Sequence, residues 1–96
     1  MKGKIRHTPF DPAEYLKTTR AMAIFLSDAL ESGDTAVIAA ALGIVARAKG
    51  MREIAKQTGL SRESLYKALR QDGNPELATT LKVVRALGMK LTAKAA

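Results

Sequence analysis

Between Met51 and Leu69 the chain reads MREIAKQTGLSRESLYKAL, and this run constrains the fold more than any other. Two short helical patterns meet there at a glycine. The first spans Met51 to Thr58, with Ile54 and Ala55 facing inward. Gly59 follows, where a chain leaving a helix turns through a left-handed conformation that a Cβ would disfavour. Leu60 plugs the corner. Ser61 stands where an N-cap is wanted, its hydroxyl able to accept from a free backbone N–H of the next turn. The second pattern, Arg62 to Leu69, sets Leu65, Ala68 and Leu69 on one face and Glu63, Tyr66 and Lys67 on the other.

A small residue, a glycine turn, an apolar plug and a capped second helix together make a helix-turn-helix pattern. Ala55 is small because the second helix crosses close to it. Leu60 and Leu65 must anchor the pair to a core supplied elsewhere, and 96 residues are enough for one such core but not two. The expected fold is therefore all-α: a helical domain over residues 11–92 containing the helix-turn-helix at 51–69, with an N-terminal arm at 1–10.

Charge follows the same division. The net charge is +7, yet residues 21–46 hold Asp28, Glu31 and Asp34 with no Lys or Arg. Residues 47–70 hold Arg47, Lys49, Arg52, Lys56, Arg62, Lys67 and Arg70 against only Glu53 and Glu63. Positive charge thus peaks on the helix-turn-helix, which suits a polyanion whose phosphates release counterions when neutralised. In repressor-like docking the second helix presents its first residues to the major groove. The candidate base readers are Ser61, Arg62, Glu63, Tyr66 and Lys67. Arg62 and Lys67 match guanine O6 and N7, and Glu63 matches cytosine N4 or else serves the helix dipole. The candidate phosphate contacts are Arg52, Lys56, Ser64, Arg70 and Asn74.

Other chemistry finds little support. No cysteine is present, which removes disulfides and thiolate metal sites. The lone histidine, His7, lies in the arm, and no HExxH, GxSxG or P-loop pattern occurs. Glu53 and Glu63 sit on separate short helices of a basic surface and make a poor catalytic pair. The expectation is a protein that is no enzyme and needs no cofactor or metal. The longest apolar run, Ala36 to Ala46, is too short to span a bilayer, and the N-terminus lacks the apolar stretch of a secretory signal, so a cytoplasmic protein is expected.

Along the chain, MKGKIRHTPF reads as an arm or short edge strand, with Ile5 and Phe10 available for docking. Asp11-Pro12-Ala13-Glu14 is a helix start that predicts a short helix to Lys17, with Tyr15 and Leu16 available for the core. Thr18 or Thr19 caps a helix to Ser32 whose inward residues are Met22, Phe25, Leu26, Ala29 and Leu30. Gly33 ends it and Asp34 caps the next, Thr35 to Lys49, with Ile38, Ala41, Leu42 and Val45 on one side. Val37, Ala40 and Ile44 make a second apolar side, which predicts a central position. After the turn-rich RQDGNP, a last helix opens in its first turn with Glu76 and carries the stripe Leu77, Leu81, Val84 and Leu87, leaving Val83 and Leu87 partly spare. Met89 and Leu91 then alternate with Lys90 and Thr92, the pattern of a short strand that pairs with a symmetry mate; the alternative is that they cover the core of their own domain.

The stretch GMREIAKQTGLSRESLYKALRQDGNPELATTLKVVRALGMKL resembles the C-terminal half of addiction-module antidote proteins, small Xre/HigA-type antitoxins with a phage-repressor-like helix-turn-helix. The upstream DPAEYLKT, LSDALESGD and AALGIVARAKGM follow the same family, so the likeness runs from Asp11 to Leu91. TGLSRESLYKAL and the GNPE…LKVVRALG tail are its most specific parts. The resemblance implies a five-helix lambda-repressor-like domain with short terminal extensions. It also implies a cytosolic homodimeric antitoxin that binds its own operator in double-stranded DNA, represses its operon, and neutralises a RelE/ParE-like toxin. The alternative is a stand-alone Xre-family repressor without a toxin partner, which the absence of a neighbouring toxin-like reading frame would favour.

Overall fold

The computed structural model describes residues 15–70 and 72–96. Among them it is all-helical, with five α-helices and no strand: α1 Thr19–Ser32, α2 Thr35–Lys49, α3 Met51–Thr58, α4 Arg62–Ala68 and α5 Leu77–Ala86. The arm at 1–10 and most of the expected helix from Asp11 to Lys17 lie outside the described residues. Tyr15 is helical, Lys17 is not, and of the two residues expected in the core Leu16 docks there while Tyr15 is exposed.

The boundaries follow the capping chemistry. Thr18 accepts from Ala21 N–H at 3.0 Å and opens α1. Asp34 Oδ1 accepts from the backbone N–H groups of Ala36 and Val37 at 2.9 and 3.4 Å and opens α2. Each bond satisfies a donor that the first helical turn leaves free. Glu76 stands one place outside α5, as its N-cap, rather than in the first turn.

α2 is the central helix. It packs on α1, α3 and α5, while α3 also touches α4 and α5. Its first side is buried as expected through Ala41, Leu42 and Val45, with Ile38 half-buried. Its second buried side is a correction. Val37 is 44% exposed and Ala40 and Ile44 are half-buried, whereas Ala39, Gly43 and Ala46 are enclosed. Small residues at this i, i+4, i+7 spacing let neighbouring backbone approach. A Cβ built on Gly43 would overlap the carbonyl oxygen of Leu69, so the end of α4 rests directly on α2.

α1 buries Met22, Leu26 and Ala29 and half-buries Phe25, but Leu30 is exposed. α5 departs further from its sequence stripe. Val83, Val84 and Leu87 are buried at 0–2% exposure, while Leu77 and Leu81 are 69% and 43% exposed. Neither Val83 nor Leu87 is spare. Only the C-terminal half of α5 reaches the hollow between α2 and α3, so its first turns run past the core and their leucines emerge.

The end of α5 sets the position of the tail. Gly88 N–H donates to Arg85 O and Met89 N–H to Val84 O, at 2.9 and 3.1 Å. This closure carries the chain back over the helix end and brings an apolar residue down onto it. Met89 and Leu91 accordingly pack half-buried against their own core. Residues 89–92 form no strand.

Candidate nucleic-acid interface

Helices of eight and seven residues are too short to persist alone in water, so α3 and α4 depend on what they bury. Ile54 and Leu65 are at 0% exposure, Leu69 at 2%, and Ala55, Leu60 and Ala68 pack half-buried around them. The corner between them has the geometry its residues suggest. Gly59 sits at φ 77°, ψ 10° and donates its N–H to Ala55 O at 2.9 Å. Thr58, which sequence reading missed, stitches the turn from both sides. Its hydroxyl donates to Ile54 O at 2.7 Å and accepts from Leu60 N–H at 3.3 Å. The threonine before the helix-ending glycine was the available signal.

With Leu65, Ala68 and Leu69 inward, the remaining side chains of α4 point to solvent. Arg62, Glu63, Ser64, Tyr66 and Lys67 are all exposed, Tyr66 by 49%. Glu63 and Lys67, and Arg62 and Tyr66, stand four residues apart and so form two adjacent rows on this face. Ser61 is engaged at the helix start: it accepts from Ser64 N–H at 3.0 Å and donates its hydroxyl to Ser64 Oγ at 2.9 Å. Ser61→Ala is expected to cost about 1 kcal/mol of unfolding free energy by removing this cap. Urea denaturation measures it, and an unchanged midpoint would show that α4 is held without the cap.

Of the other candidates, Arg52 and Lys56 are exposed on one face of α3. Nearby, Gln57 donates to the Glu53 carboxylate. Arg70 lies at the end of α4 with its Nε 2.9 Å from Asp72 Oδ1, the one ion pair among the described residues. Both side chains are well exposed, so the pair orients Arg70 only weakly. Sequence reading also missed Asp72, whose spacing from Arg70 was the available clue. Asn74 is exposed and lines a small hollow with Thr35, Pro75 and Leu77, between the starts of α2 and α5. Among the described residues, Arg52, Lys56, Arg62 and Lys67 therefore carry charge with no carboxylate in ion-pair range. The described residues contain no group of three or more His, Cys, Asp or Glu able to hold a metal ion. No described helix is long and apolar enough to cross a membrane.

One protein family, described as probable addiction module antidote protein, has a model that matches residues 6–95. A protein of Haemophilus influenzae (strain ATCC 51907 / DSM 11121 / KW20 / Rd), described only as an uncharacterized protein, is 43% identical over 81 residues, which is 84% of each chain. No solved structure matches.

Proposed function

The chain belongs to the family of probable addiction module antidote proteins, and from that premise we propose that it is the antitoxin of a two-gene module that also represses its own operon. On this reading α3 and α4 are a helix-turn-helix of a lambda-repressor-like domain, and α4 is the helix that enters the major groove. The observation that carries it is the outward face of α4. Four side chains able to read or approach base edges, Arg62, Glu63, Tyr66 and Lys67, stand exposed on a helix whose other face is locked by Leu65 and Leu69. Ser61, at the cap, stands at the same end. Arg52, Lys56, Ser64, Arg70 and Asn74 flank that face and position the backbone of the duplex.

Operator binding of this kind uses two half-sites about 34–36 Å apart, and so a homodimer. The tail is committed to its own core, whereas Leu77 and Leu81 form an exposed apolar pair four residues apart on α5. They are the side chains we assign to the two-fold contact. The antitoxin acts in the cytoplasm on a RelE/ParE-like toxin and performs no catalysis. An electrophoretic mobility shift on the protein's own promoter, with and without the product of the adjacent gene, tests the reading. The expected result is a retarded complex that survives excess unrelated DNA and that the gene product alters. Equal competition by unrelated DNA would sink the repressor role. Failure of coexpression to relieve growth arrest by the gene product would sink the antitoxin role.

A further inference from the structure

On α1 and α2 lies a groove of about 730 Å³ that the DNA reading leaves unused. Its floor is apolar: Phe25 and Ile44 are half-buried, and Tyr15 and Val37 are exposed by 54% and 44%. Its rim is acidic, formed by Asp28 and Asp34, and the exposed Glu31 follows Asp28 by one turn of α1. Through the whole stretch 21–46, on a chain of net charge +7, there is no Lys or Arg. The sign of the surface therefore reverses at this groove.

That combination decides what fits. Nucleic acid is repelled by the carboxylates. A second copy placed by a two-fold axis would set this acidic rim against itself, since an isologous contact repeats the same patch on both sides. A head-to-tail copy would bring a basic surface but would build a ring or an open chain, not the two-fold pair that the operator reading requires. We infer that the α1–α2 groove is the docking surface for a basic protein partner, which inserts an aliphatic or aromatic side chain beside Val37 and Phe25 and sets Lys or Arg against the rim at Asp28 and Asp34. Resting on the antitoxin reading above, this partner is the toxin, held on a face separate from α4. Charge complementarity of this sort speeds encounter and selects the partner, while the apolar floor supplies the buried contact.

The test uses the full chain and the purified product of the adjacent gene, with affinity measured by titration calorimetry and operator binding measured in parallel. Asp28→Lys reverses the rim charge and Val37→Gln makes the floor polar, both at exposed positions. Asp34 is left intact because its carboxylate caps α2. Each variant is expected to bind the gene product about tenfold more weakly, with operator affinity and thermal midpoint unchanged. Asp28→Asn is expected to flatten the salt dependence of that affinity. Wild-type affinity in all three variants would overturn the groove assignment while leaving the antitoxin reading standing. No binding by the wild-type chain would overturn both. Loss of self-association in Asp28→Lys would overturn it in favour of a second copy. A lowered midpoint of the free Asp28→Lys protein would instead assign the groove to the chain's own basic residues 1–10.

Discussion

Gly43→Ala will lower the thermal midpoint, although alanine is the better helix former. In an open helix interior the change would stabilise by about 0.8–1.0 kcal/mol. At Gly43 the new Cβ meets the carbonyl oxygen of Leu69 and comes within 3.2 Å of an Arg47 guanidinium nitrogen. Arg47 can swing away, but the Leu69 carbonyl is backbone and moves only with the end of α4. Overpacking of this kind costs roughly 1–3 kcal/mol, and a backbone obstacle belongs at the upper end of that range. The net expectation is a loss of about 1–2 kcal/mol, or several degrees for a domain of this size. Calorimetry decides the sign. A raised midpoint would mean that α4 sits farther from α2 than the structure places it. Because Leu69 ends α4, the same substitution should weaken operator binding beyond its effect on folding.

Removing both cations from the outward face of α4 should erase operator recognition. A side chain reading a base is worth about 1–3 kcal/mol at its position, so Arg62→Ala with Lys67→Ala should cost about 2–6 kcal/mol against the operator. Binding to unrelated DNA should fall far less. Both residues are exposed and unpaired among the described residues, so the thermal midpoint should stay where it is. Arg52→Ala supplies the contrast. On the proposed docking Arg52 meets a phosphate, so its loss is expected to weaken binding to all sequences alike and to lower the salt slope by about one. Competition titrations with operator and scrambled duplexes separate these outcomes. If the double variant still prefers the operator by the wild-type ratio, α4 is not the reading helix.

The helix limits of α1 to α4 were legible from local chemistry to within a residue. Thr18, Asp34 and Ser61 cap as their hydroxyl and carboxylate groups dictate, and Gly59 turns where only a residue without a Cβ turns cheaply. The exposed face of α4 was equally legible, because Leu65, Ala68 and Leu69 take the inward face and leave the other side chains nowhere else to go. The α5 stripe was not. Leu77 and Leu81 carry the periodic signal that a buried face should carry, but periodicity records which residues share a side and not how far along the helix a neighbour extends. The tail shows the same limit: Met89 and Leu91 alternate like a strand, yet the hydrogen bonds that end α5 bring both down onto the core of their own domain.

Local sequence thus determined where the helices start and stop and which side of α4 is polar, since those depend on bonds within four residues. Tertiary structure alone decided that Gly43 receives the Leu69 carbonyl and that α5 is buried only at its C-terminal half. It also decided that Val37 and Ile44 line an open acidic-rimmed groove rather than a core. Each of those depends on the distance between backbones far apart in the chain, and no pattern along one helix encodes that distance.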